Sequence, residues 1–161
     1  MRTLVVYDDA DSSAVSAARL IGDGFIGLGD VDVVPASAGL VDIDVSATNI
    51  VVGGGMTDSG EVREGRSLEE WFSKLGKDVA GIPVAGYETR LATQQACRTS
   101  DGVNRQFELH HFHVVAPADS FIVDESGALV DDELKRARRW AAVVASGFAS
   151  VARKRSSQLD R

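Results

Sequence analysis

The sequence predicts a single α/β domain, a parallel sheet with helices on both faces. Three observations carry this. Short apolar runs rich in β-branched residues alternate along the chain with segments of helical periodicity. The first of them, Thr3 to Tyr7, stops at an acidic loop, Asp8-Asp9-Ala10-Asp11, after which Ser12-Ser13 opens a helix; that is the first half of a βαβ unit. The length, 161 residues, suits one domain with a proper core.

The elements follow in order. Ala14, Ala18, Ile21 and Phe25 form one apolar helix face, which Ser12 or Ser13 can cap and the glycines from Gly22 to Gly29 end. Val31 to Pro35 is a second strand. Ala36 to Thr48 is left open between an extended piece and a degenerate helix. Asn49 to Val52 is a third strand, running into Gly53-Gly54-Gly55, which reads as a tight turn needing positive φ. Ser67, with Glu70 three residues on, reads as the capping box of a helix whose core face is Leu68, Trp71, Phe72 and Leu75. Ile82 to Tyr87 is a fourth strand, and Glu88 to Asp101 a polar loop. Gly102 to Leu109 is a weak helix, and Phe112 to Ala116 a fifth strand, followed by Pro117 and a short Phe121-Ile122-Val123 piece. From Asp131 a long helix carries Leu134, Ala137, Ala141, Val144, Phe148 and Val151 at spacings of three and four. The domain is expected to span residues 1–152, with 153–161 a polar tail that frays.

Composition narrows the function. The net charge of -7 argues against nucleic acid and anionic membranes, which need clustered positive charge, and suits docking on a basic protein partner. One cysteine, Cys97, excludes an internal disulfide; no run approaches the ~20 apolar residues of a membrane span, and the start has no signal-peptide layout. A reducing, cytoplasmic setting is the expectation.

Catalytic and metal motifs are weak. The acid cluster after the first strand could hold a hard cation, but strand three ends in glycines and strand five in Ala116-Pro117, not in the Asp and Lys of a receiver domain. His110, His111 and His113 have no acidic or thiol ligand spaced to complete a metal site. Cys97, beside Arg98, lacks a His–Asn/Asp layout, and no serine sits in a G-x-S-x-G elbow. The expectation is a non-catalytic binding module or an electron carrier, with no metal.

The stretches LVVYDDADSSAVSAARLI, NIVVGGGMTDSG, IPVAGYETR and HVVAPADSFIVD, with the terminal helix in LVDDELKRARRWAAVVA, resemble the flavodoxin family over nearly the whole chain. The resemblance implies a flavodoxin-like three-layer sandwich, a five-stranded parallel sheet of order 2-1-3-4-5, and an FMN site at the strand ends. The FMN phosphate would lie in the first loop, and the ring between the loops after strands three and four. The matching positions are Asp9, Ser12, Ser13, Met56, Thr57, Tyr87 and Glu88, with Tyr87 the residue that can stack on the ring. The family's loop reads aromatic-x-Ser/Thr-x-x-Gly-Asn-Thr; laid on from Tyr7, it puts Asp9 on the Ser/Thr, Ser12 on the Gly, Ser13 on the Asn and Ala14 on the final Thr. A carboxylate ~4 Å from a phosphate is repelled by about 4 kcal/mol at an effective dielectric of 20. A helix dipole offsets only about 0.3–1 kcal/mol. Two readings stand: a diverged member with a weak or lost FMN site that binds a protein or another small ligand, and an FMN-binding electron-transfer flavodoxin.

Overall fold

The structure is a computed structural model that describes residues 1–9, 14–39, 43–55, 66–93 and 98–161. Its elements are β1 (Arg2–Tyr7), α1 (Ala14–Asp23), β2 (Asp30–Pro35), β3 (Thr48–Gly55), α2 (Arg66–Ser73), β4 (Pro83–Arg90), α3 (Arg98–Leu109), β5 (His113–Val114), β6 (Asp119–Ile122) and α4 (Asp131–Leu159). The sheet is parallel throughout, in the order β2-β1-β3-β4-β5, as expected. A sixth strand completes it. β5 pairs with Pro83 and Val84 at the start of β4, and β6 with Tyr87 to Arg90 at its end. The fifth position of the sheet is thus filled by two short segments, one after the other along β4.

Strand alternation sorts the core into two layers. Leu4, Val6, Ile50, Val52 and Val84 face Leu68, Trp71 and Phe72 of α2 and Val103 and Phe107 of α3. Val5, Val51, Ala85 and Tyr87 face Ala18 and Ile21 of α1 and Ala137, Ala141, Val144 and Phe148 of α4. At the α1–α4 contact, a Cβ on Gly24 would sit 2.7 Å from that of Ala141, so glycine there sets how closely the two helices pack.

Four readings of the sequence change. Gly53 to Gly55 lie in β3, and none of them has positive φ. β4 runs on through Glu88 to Arg90, where a loop is expected. Ser67 lies within α2, which begins at Arg66, so it is not the cap residue. α4 continues as helix to Leu159 through the stretch read as a fraying tail; there Arg155 donates to the carbonyls of Val45 (3.1 Å) and Gly81 (2.8 Å). Among the described residues no helix is long and apolar enough to cross a membrane.

Candidate functional site

In a doubly wound sheet, ligands lie outside the carboxyl ends of the strands, where the chain connections part to opposite faces. Here β1 and β3 are neighbours whose connections leave in that way, so the candidate site comprises Tyr7 to Asp9, Gly53 to Gly55, Tyr87 to Arg90 and the start of β6.

One row of polar residues crosses this end. Asp8 follows β1 by one residue, and its N–H donates to the Gly53 carbonyl (2.9 Å). Tyr7 pairs with Gly53, Gly54 with Glu88, and Glu88 with Ser120. Asp8, Gly54, Glu88 and Ser120 therefore lie side by side on four adjacent strands, on the α2–α3 face. Asp8 is 4% exposed, Glu88 0% and Ser120 7%. With strands about 4.8 Å apart, the backbones of Asp8 and Glu88 stand ~10 Å apart, with only a glycine between. Burial of carboxylates is tolerated when they are partnered, and neither residue lacks an interaction. The far end of the row is held by Arg90, whose Nε donates to Ser120 Oγ (3.0 Å).

Asp9 turns away from this row. Its carboxylate accepts the backbone N–H of Ser37 (3.1 Å) and the Ser37 hydroxyl, tying the end of β1 to the short helical turn after β2. The Asp9 side chain and the donors of Ser37 thus engage one another.

Tyr87, expected as a stacking residue on a loop, lies inside β4 and is 2% exposed. It points to the opposite face, edge-on to Trp140 (5.8 Å, 69°) and tilted against Phe121 (6.2 Å, 45°). Its ring lies over Gly53, where a Cβ would overlap the phenol; that contact accounts for at least one glycine of the triplet. Burial, with a smaller contribution from Tyr7, pushes the Tyr87 hydroxyl far above the ordinary tyrosine range, so it stays neutral. The aromatic cluster is closed by Arg136, which lies 5.2 Å over Phe121 and pairs with Asp119 (2.6 Å) and Glu133 (3.1 Å). Trp140 Nε1 donates to the Pro117 carbonyl (3.0 Å).

Of the residues expected at the site, Asp9, Tyr87 and Glu88 come to the strand ends, but on three different sides. Ser12, Ser13, Met56 and Thr57 lie outside the described residues, as does Cys97. Asp8, Ser120 and Arg90 were missed as a set. The alternation Val84, Gly86, Glu88 carried a signal for Glu88 facing inward; nothing in the sequence marks Ser120. His110 stacks on Phe72 (6.0 Å, 18°), His111 takes positive φ (57°) with its carbonyl accepting from Gly81 N (2.8 Å), and among the described residues no group of three potential ligands gathers.

FMN requires a phosphate cradle and faces on which the ring can lie. Among the described residues, the N–H groups of Asp8 and Ser37 are already engaged, the two side chains that follow β1, Asp8 and Asp9, are carboxylates, and the Tyr87 ring is in the core.

No protein-family model and no curated protein matches the sequence. Solved structures match its fold. Flavodoxin 2 from Bacillus cereus superposes with a TM-score of 0.71 at 15% identity, over 92% of this chain and 100% of that one. A mutant flavodoxin from Pseudomonas aeruginosa gives 0.71 at 16%, over 92% and 99%. A flavodoxin from the domain Archaea gives 0.67 at 16%, over 92% and 99%. The chain has a flavodoxin-like fold.

Proposed function

We propose that this chain is a non-catalytic binding module whose strand-end site takes a ligand that donates hydrogen bonds or carries positive charge, or a protein partner presenting such groups, and that the FMN site of the fold is weak or lost. The observation that supports this is the buried row of Asp8, Glu88 and Ser120, with Asp9 beside it held on Ser37. Carboxylates are acceptors only. They complement an ammonium, a guanidinium or an amide edge and repel a phosphate. The net charge of -7 works in the same direction for a basic protein partner.

The alternative, an electron carrier built on FMN, needs donors where these acceptors stand. The flavodoxins that superpose on the chain make that alternative the one to test against. Two measurements decide. The purified protein is expected to lack flavin absorbance, and titration of FMN fluorescence is expected to show binding no tighter than the high micromolar range. A basic peptide probe, such as oligo-lysine at low salt, is expected to raise the melting temperature, and added salt to reduce that shift. A yellow preparation with tight FMN binding sinks the reading; absence of any shift with the basic probe removes its positive half.

A further inference from the structure

We infer that Thr3 and Asn49 hold a buried water molecule between the amino-terminal ends of β1 and β3. The two residues are direct register partners across these strands. Each is 1% exposed. Alternation places both with Val5 and Val51, on the face covered by α1 and α4. Thr3 Oγ1 and Asn49 Nδ2 are both buried without a hydrogen-bond partner. Trp71 Nε1 is likewise unpartnered, but it stands by itself on the opposite face of the sheet; Thr3 and Asn49 are adjacent.

An unsatisfied buried polar atom is destabilising enough that native proteins tolerate few of them. Two side by side call for a common partner. The chemistry of the pair matches one water: the Asn49 amide donates to the water oxygen, and the water donates to the Thr3 hydroxyl oxygen. Buried waters typically occupy such polar niches and bridge groups the chain leaves unmet. At the same end of the sheet, Arg155 binds the carbonyls of Val45 and Gly81, just ahead of β3 and β4. A water held between two residues each 1% exposed exchanges slowly with solvent. The site is at the end of the sheet opposite to the candidate ligand site and is independent of the function proposed for it.

The test is water–amide cross-relaxation by NMR on the full chain, read at the Asn49 side-chain amide protons. The expected result is a cross-peak to water with nuclear and rotating-frame effects of opposite sign, the signature of a long-lived water. Thr3→Val is expected to weaken or abolish it while the backbone spectrum is kept. Should that variant fail to fold, a high-resolution crystal structure of the unaltered protein decides, by electron density for a water within hydrogen-bond reach of both atoms. A direct bond from Asn49 Nδ2 to Thr3 Oγ1, or a dry contact with no cross-peak, overturns the inference.

Discussion

Tyr87 and Gly53 depend on each other, and both depend on where β4 ends. The phenol lies across the Gly53 Cα, in the space that a Cβ would need. Gly53→Ala is therefore expected to lower stability by about 1–3 kcal/mol, the usual range for overpacking a filled core. In chemical denaturation, Tyr87→Leu should reduce the added effect of Gly53→Ala, since the clash disappears with the ring; strict additivity would show that the two residues are not coupled. The raised pKa of Tyr87, caused first by burial and then by Tyr7, is expected to contribute to the alkaline limb of stability. The sign follows from proton binding. Above the unfolded tyrosine value of about 10, the unfolded chain releases this proton while the folded one keeps it, so stability is whole below that pH and falls as pH rises through the window above it. Tyr87→Phe should flatten that limb, as read by urea midpoints between about pH 9 and 11.

Elements were legible where hydrophobic spacing alone decides them, and less so where polar contacts do. The core face of α4 can be read directly from Ala137, Ala141, Val144 and Phe148, all buried. The end of β4 is not readable in this way, because Glu88 is an inward-facing carboxylate and Thr89 and Arg90 look like loop residues. The last turns of α4 have no apolar periodicity either; Arg155 anchors them through backbone carbonyls that sequence cannot foresee. Arg155→Ala should speed amide hydrogen exchange over residues 153–159 severalfold and leave the core amides unchanged. Equal acceleration everywhere would mean that the contact holds the whole fold. The turn leading to α4 makes a second prediction at this scale. Asp124 Oδ1 accepts from Ser126 Oγ (2.6 Å), Ser126 N (2.8 Å) and Ala128 N (3.1 Å), and the Ser126 hydroxyl is the largest cause holding its carboxyl below the ordinary aspartate value of 3.8. The stability this carboxylate contributes is present above that ordinary value and is lost as pH falls through the lower folded one. NMR titration should show Asp124 protonating below the ordinary value, with Ser126→Ala moving it back up; an unshifted Asp124 in the unaltered protein would refute the turn.

For the molecule as a whole, the sheet order follows from the alternation of strands and helices, but what the strand ends recognise depends on a few side chains set on that frame. Asp9 is the sharpest case. Read from the sequence, it is a charge placed where a phosphate would go; in the fold, it is also the acceptor that engages the N–H and hydroxyl of Ser37. Asp9→Ser therefore acts twice. It removes a repulsion of about 4 kcal/mol at most, by the Coulomb estimate for ~4 Å at an effective dielectric of 20. It also releases two donors at the end of β2. Adding Ala14→Thr places a hydroxyl at the first residue of α1, where helix N–H groups lack intrahelical partners and favour anions. Each 1.4 kcal/mol is tenfold in affinity, and solvent screening takes much of the Coulomb term, so the double variant is expected to bind FMN about 10- to 100-fold more tightly than the unaltered chain. Inorganic phosphate should compete with FMN in the variant. Fluorescence titration of both proteins decides between causes. Improvement with phosphate competition places the barrier in the first loop. Equal and weak binding by both proteins places it instead at the ring, where Tyr87 is locked into the core and offers no face, and opening that position, not the loop, becomes the step that would restore a flavin.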